Sequence, residues 1–361
     1  MRRVMLGIFL LALVVGAGVW WGLAAAPSKQ VGGDAAMAGR TVPANGWGPL
    51  KMMTANIRLD DPKDGDNVWL NRRDVVVKVF KRAMPEIIAC QEVSPAQGAF
   101  LHKELGQWYD YYPRGGVGNL NPPASASAPA GGRGEGPAGG VRGVGAQLRG
   151  FVSDTLASLD TIYFRSDRFE ILGGEAGLIL PDELQAKPTE NAFFTLAILR
   201  EKTTRGEGPA YIVVDVHLRH VEPFAIRCAQ RVREKIADWQ KKMPGGQVIV
   251  MGDLNCDRTQ LAYLTLTGTA PQAQRPDAAP TLADAYDYAR KPAGEWWGNW
   301  HAFAGKPLRE WPTDFVLFTG GQGGLRPTAA GAAKLVREQG DKGRWPSDHF
   351  FVVAELERVP K

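Results

Sequence analysis

The chain has 361 residues, enough for one large domain or two modest ones, and its 44% hydrophobic and 22% charged content excludes a disordered or fibrous protein. The formal net charge is +5, and removing Arg2 and Arg3, the only charges in the first 26 residues, leaves +3, an excess that permits a polyanionic partner without arguing for one. Three cysteines, Cys90, Cys228 and Cys256, with no CxxC spacing, exclude a disulfide framework and a cysteine zinc site.

In chain order, Arg2 and Arg3 precede an uncharged stretch from Val4 to Ala26. A basic start, an apolar centre and the small residues Ala24-Ala25-Ala26 make a signal peptide, while the stretch also exceeds the roughly 18 residues of a membrane span. Signal peptide and retained anchor stay open at 1–26. Both put the rest of the chain outside the cytoplasm, either secreted or periplasmic, or tethered to a membrane through residues 4–26. Residues 27–50 are rich in Ala, Gly and Pro and read as a flexible linker, after which 51–361 is globular sequence. Residues 114–150 are a second low-complexity stretch, expected as a long loop insertion.

Strands are expected at Lys51–Ile57, Glu86–Cys90, Asp160–Phe164, Ala192–Leu199, Tyr211–Val216, Gln247–Met251, Phe315–Phe318 and Phe350–Leu356, from apolar, β-branched runs bounded by turn residues. Helices are expected at Trp69–Ala83, with Val75, Val76, Val79 and Phe80 on one face, at Ala96–Leu105, and at Pro223–Lys241. That mixture predicts an α/β fold with a two-layer sheet core covered by helices. Cys90 falls in the core; Cys256 is expected to be partly exposed.

The strands end in polar residues. Asn56 closes the first and Glu92 follows the second; His217 ends Val-Val-Asp-Val, and Asp253 with Asn255 ends Val-Ile-Val-Met-Gly. Asp314 opens Phe-Val-Leu-Phe, and Asp348 with His349 opens Phe-Phe-Val-Val. Each has an ordinary explanation: Gly-Asp-Leu-Asn is good turn sequence, Asn56 can cap a turn, Glu92 can be a charge at a helix start, and His217 can be a satisfied structural histidine. For every one of these to hold at once is improbable, and strand ends can converge on one rim. His220 lies in the loop after His217, and His301 lies in an aromatic segment with Trp296, Trp297 and Trp300; both are candidates for substrate contact, with packing as the alternative for His301. His102 is expected on a solvated helix face.

Carboxylates, amides and water suit a hard divalent cation, Mg²⁺ or Mn²⁺. An aspartate on a water can act as general base, and Asp314 beside His349 would fix its tautomer and raise its pKa. The set suits metal-assisted phosphoester hydrolysis by in-line attack of an activated water.

The ordered series Thr54-Ala55-Asn56-Ile57, Cys90-Gln91-Glu92, Val216-His217-Leu218-Arg219-His220, Gly252-Asp253-Leu254-Asn255, Thr313-Asp314-Phe315-Val316 and Ser347-Asp348-His349-Phe350 resembles the endonuclease/exonuclease/phosphatase superfamily, from about Lys51 to Leu356. The resemblance implies a four-layered α/β sandwich, two packed, mostly antiparallel β-sheets flanked by helices. It implies that Asn56 and Glu92 hold the metal with Asp348 assisting. By the same resemblance Asp253 activates the water, Asn255 steadies it, and His217 and His349 contact the phosphate with Asp314 behind His349. Arg219 and Asp160 stand where relatives often carry an Asp and an Asn, and Phe351 replaces a frequent Pro. The substrate class is open among nucleic acid, phospholipid headgroups and small phosphomonoesters. A silent binding module on the same fold is the rival, against which Glu92, Asp253 and His349 are all present.

Overall fold

The computed structural model describes residues 40–44, 46–113, 159–179, 192–204, 206–271, 278–289, 297–329 and 331–360. The leader, most of the linker and the 114–150 segment therefore lie outside the described residues, as does Trp296. No helix among the described residues is long and apolar enough to cross a membrane.

Every expected strand is present, with ends shifted by a few residues at most. β1 (Leu50–Asn56), β2 (Ile87–Val93), β3 (Tyr109–Tyr112), β4 (Leu159–Arg165), β11 (Leu325–Pro327), β12 (Lys334–Val336) and β13 (Phe351–Arg358) form a seven-stranded sheet in the order β11-β13-β1-β2-β4-β3, with β12 on β13. β5 (Phe169–Leu178), β6 (Phe193–Glu201), β7 (Ala210–His217), β8 (Gln247–Asp253), β9 (Ala283–Asp284) and β10 (Asp314–Phe318) form the second sheet in the order β5-β6-β7-β8-β10-β9. The sheets face each other: β1 packs on β8 and β10, β2 on β7, and β4 on β6.

Helices cover the outer faces. α1 (Trp69–Ala83) and α2 (Pro95–Leu105) belong with the first sheet, where Phe80 meets Phe351 at 5.6 Å between ring centroids. α3 (Glu222–Lys242) and α4 (Leu261–Thr267) belong with the second, where Trp239 lies against β5 at Gly173. The chain is thus the expected four-layered α/β sandwich. α2 starts at Ser94 with a capping box closed by Gln97, and α1 ends at Met84 in a left-handed conformation. Val75 is only half-buried on α1, whereas Arg72 is fully buried. Cys256 is buried rather than partly exposed, because it packs under α4 with Tyr263, and all three cysteines are free thiols.

Register explains why the polar strand ends meet. β1 and β2 run parallel, as do β7 and β8, and the other pairs in both sheets are antiparallel. Parallel strands buried on both faces need continuous apolar runs, which Ile212–Val214 and Val248–Met251 supply. Parallel neighbours finish at the same edge, so Asn56 and Glu92 close one pair and His217 and Asp253 the other. β10 is antiparallel to β8 and begins with Asp314 opposite Asp253. β13 is antiparallel to β1, with Val352 opposite Thr54, so the Asp348-His349 turn enters at the same edge.

Residues 40–44 and 46–49, within the expected linker, are docked. Arg40 pairs with Asp167 and Glu86, and the Trp47 indole donates to the Lys202 carbonyl at 2.7 Å.

Candidate active site

Asn56 stands at the centre of the rim. Its Nδ2 donates to Glu92 Oε1 at 3.0 Å and to Asp253 Oδ2 at 3.1 Å, joining a carboxylate from each sheet. Its Oδ1 accepts the Arg58 N–H at 3.0 Å, which fixes the amide's orientation. Glu92 also accepts the Leu59 N–H at 2.9 Å, so it serves the site rather than the start of α2. It reaches there through a bulge: pairing of β2 with β4 slips between Cys90 and Val93, and Glu92 has φ 60. Bulges re-aim side chains, and a glutamate in the left-handed region costs about 1–2 kcal/mol that neighbours must over-determine. Gln91, turned the other way, donates to the buried Asp215 at 2.6 Å across the sheets.

Gly252-Asp253-Leu254-Asn255 is both a turn and part of this cluster. Asp253 Oδ1 accepts the Asn255 N–H at 3.0 Å, and Asn255 takes φ 49, a region asparagine tolerates. The Asn255 amide therefore turns to His217, with Nδ2 at 3.1 Å from its Nε2 and donating to the Leu218 carbonyl at 2.9 Å. The other Asp253 oxygen, Oδ2, faces His217 Nε2 at 3.7 Å and His349 Nε2 at 3.8 Å. Burial, then the Asp314 carboxylate, push Asp253 above the ordinary aspartate range, against the pull of both histidines. Burial keeps His217 below its usual value despite Asp253 and Glu92. Burial also works against ionisation of Glu92, but His217 and the two hydrogen bonds it accepts hold it low.

His349 is set differently. Its Nδ1 lies 3.0 Å from Asp314 Oδ2, which also accepts Thr313 Oγ1 at 2.9 Å and the Asn299 amide. Burial opposes its charging, yet Asp314 and then Asp253 raise it to about 10. These partners exist only in the folded state, so the imidazolium stabilises the metal-free fold fully below the ordinary value near 6.5 and progressively less toward about pH 10. Thermal melts of metal-free protein should lose stability over that alkaline range, and Asp314→Asn should remove most of the dependence. Identical pH profiles for the two proteins would contradict the couple.

Asn299 has no exposure and was not legible as a site residue. It ties Asp314, the Thr313 N–H at 2.8 Å and the Phe350 N–H, the last through its own carbonyl at 2.8 Å. Ser347, also buried, places its hydroxyl 2.6 Å from the Asn56 carbonyl and 3.2 Å from Asp348 Oδ1. Asp348 is half-buried on this flank, and its charge acts on Arg58 and Arg72.

Asn56, Glu92, His217, Asp253, Asn255, Asp314, Asp348 and His349 are thus brought to one rim. His220 is exposed on the turn before α3. His301 is fully buried, stacked on Phe350 at 4.1 Å and beside Trp345, with Nδ1 accepting the Gly305 N–H. It packs beneath the rim instead of presenting itself to substrate, because the Asp348 carbonyl accepts its N–H at 2.8 Å and draws the loop inward. Trp297 packs on Tyr286 at 5.1 Å, and His102 stacks on Tyr111 at 3.5 Å instead of being solvated. Arg219 is half-buried, with its charge acting on Asp160 and His217.

The oxygen-rich set fits a hard cation. Two carboxylates, Glu92 and Asp253, converge on one neutral amide, and Asp314 adds a third buried acid whose Oδ1 has no partner among the described residues. Ligand-type atoms of Asp253, Asp314 and His349 also lie within 4.8 Å of one another. The Asp314 oxygen facing His349 is already taken by three donors, so that trio reads better as an Asp–His couple against Asp253. Each Glu92 and Asp253 oxygen accepts one hydrogen bond, which leaves a carboxylate oxygen a further lone pair for a cation.

A comparison with curated proteins gave no match. A profile described as the Endonuclease/Exonuclease/phosphatase family matches residues 53–349. Among solved structures, an endonuclease/exonuclease/phosphatase family protein from Bacteroides thetaiotaomicron is 18% identical with a TM-score of 0.62, covering 86% of this chain and 95% of that one. A mannosyl-6-phosphatase from the same organism is also 18% identical, with TM-score 0.62 and coverages of 86% and 99%. The catalytic domain of human Nocturnin, with a bound sulfate anion, is 15% identical with TM-score 0.54, covering 86% and 94%. With its profile match spanning most of its length and its two facing sheets sharing the fold of these structures, the chain belongs to the endonuclease/exonuclease/phosphatase family.

Proposed function

We propose that the chain is a divalent-metal-dependent phosphoesterase that cleaves a phosphoester bond by in-line attack of an activated water. The observation that carries this is Asp253 Oδ2, held between His217 and His349 and joined to Glu92 through Asn56. In this account Glu92 and Asn56, with Asp348 at the flank, hold Mg²⁺ or Mn²⁺. When bound, the cation would neutralise phosphate charge and polarise the ester.

The chain's own residues do the rest. Asp253, whose carboxyl burial makes more basic, accepts a proton from the attacking water, and Asn255 steadies that water and the phosphate. His349 enters protonated, because Asp314 and Asp253 hold its proton, so its Nε2–H binds a phosphoryl oxygen or protonates the leaving oxygen. His217, kept neutral by burial, donates a hydrogen bond to the phosphate in one tautomer while Asn255 fixes its ring. Asp314 does not react; it orients His349. Asp314→Asn should lower kcat on an activated phosphoester by about 10²-fold or more with little change in KM, because it withdraws orientation and charge from His349. An unchanged kcat would detach His349 from the chemistry.

The mannosyl-6-phosphatase, and the sulfate anion bound to Nocturnin, support a phosphoester substrate for this fold without choosing one. Turnover of bis-p-nitrophenyl phosphate, p-nitrophenyl phosphate, plasmid DNA and phospholipid vesicles, each titrated with Mg²⁺ and Mn²⁺, tests the proposal. Metal-dependent hydrolysis of at least one is expected. No turnover of any of them at any metal concentration would overturn it. The extracytoplasmic location belongs to the same proposal and is tested by where the expressed protein fractionates.

A further inference from the structure

Arg72 lies in the first turn of α1 and has no solvent exposure. Each of its N–H groups goes to a main-chain carbonyl. Nε donates to Asn67 at 2.8 Å, Nη1 to Ile57 and to Pro346 at 3.1 Å, and Nη2 to Arg58 at 2.5 Å and to Leu59 at 3.0 Å. No carboxylate is among these partners, and burial lowers its pKa to about 10. A buried guanidinium without a carboxylate is costly, so the carbonyls it gathers must matter to the fold or to the site.

Two of those carbonyls belong to particular peptides. The peptide between Ile57 and Arg58 gives its oxygen to Arg72 Nη1 and its N–H to Asn56 Oδ1 at 3.0 Å. The peptide between Arg58 and Leu59 gives its oxygen to Arg72 Nη2 and its N–H to Glu92 Oε2 at 2.9 Å. Arg58, shared by both peptides, is held at φ 57, a left-handed backbone that a neighbour must enforce. A third carbonyl, of Pro346, leads directly into Ser347 and its contact with Asn56.

We infer that Arg72 is a positioning residue for the metal centre, acting on Asn56 and Glu92 through the two peptides it polarises. A cation on a peptide oxygen strengthens what the same peptide's N–H donates, and the rigid fork fixes where both N–H groups point. The inference rests on the proposal that Asn56 and Glu92 are metal ligands. A lysine keeps the charge but cannot span these carbonyls, so charge and geometry separate in one substitution.

The test is Mn²⁺ affinity by calorimetry, without substrate, on wild type, Arg72→Lys and Arg72→Gln. Arg233→Lys is the control, since Arg233 is equally buried and carbonyl-bound, to Leu266, Ala279 and Pro280, but serves α3 and the segment after α4. Arg72→Lys should bind Mn²⁺ about 10- to 100-fold more weakly while Arg233→Lys binds as wild type. At saturating Mn²⁺, Arg72→Lys should keep a wild-type KM. Equal Mn²⁺ affinity in folded Arg72→Lys and wild type overturns the inference alone. Failure of both Arg72 variants to fold, where Arg233→Lys folds, assigns Arg72 to the fold and also overturns it. No Mn²⁺ uptake by the wild type overturns the ligand assignment beneath it.

Discussion

Asp253→Asn should lower kcat on bis-p-nitrophenyl phosphate by about 10²–10⁴-fold, the usual loss on removing a general base. The substitution keeps the oxygen that accepts the Asn255 N–H and the shape of the turn, and it removes the proton acceptor at the cost of one hydrogen bond, that from the Asn56 amide to Oδ2. The expected stability change has the opposite sign. Folding raises the Asp253 pKa above its ordinary value through burial and Asp314, so its ionised form destabilises the folded state at every pH above that value. A neutral side chain relieves that strain, and the Tm of metal-free Asp253→Asn should stay level or rise. Loss of activity together with a lower Tm would instead mean that Asp253 mainly holds the fold.

The largest expected effect on stability comes from its neighbour. Gly252 has φ 147, where side-chain-bearing residues are strained, and a Cβ built there would overlap the Val216 carbonyl of β7. β7 and β8 are parallel central strands buried on both faces, so neither can move aside without opening the core. Gly252→Ala should therefore cost about 3 kcal/mol or more, read as a shift in the urea midpoint. The close approach of the two strands also sets the separation of His217 and Asp253, so the folded fraction should turn over more slowly as well. A midpoint within about 0.5 kcal/mol of wild type would show that the strands are free to part.

That pair also shows what the sequence could reveal. A continuous apolar run broken by Gly-Asp announces a buried strand whose end carries function, and six such ends in chain order located the rim. The other long strands are legible as apolar, β-branched runs, and the three longer helices by apolar residues at helical spacing. β5 is the exception, because Gly173-Gly174 interrupts its pattern, and β3, β9, β11 and β12 are too short to show one. The roles of Asn299, Ser347 and Arg72 are not legible because these residues act from loops or a first helical turn, where no periodicity marks them. Arg72 even occupied a helix face whose neighbours predicted burial, but an arginine there reads as exposed until its carbonyls are known. For His301 the sequence allows substrate contact or packing, and the packing comes from Phe350 and Trp345, distant in sequence, rather than from the neighbouring tryptophans. At Gly252–Asn255 turn and site are one structure, because the Asn255 N–H donates to Asp253.

The most direct test of the account is the initial rate of phosphoester hydrolysis by metal-stripped protein titrated with Mn²⁺, run in parallel on wild type, Glu92→Gln and Asp253→Asn. Wild type should show a saturable, metal-dependent rate, Glu92→Gln a half-saturating Mn²⁺ concentration raised at least tenfold, and Asp253→Asn a rate near background at every concentration. Hydrolysis that persists in excess chelator, or that survives Asp253→Asn at the wild-type rate, would contradict the account.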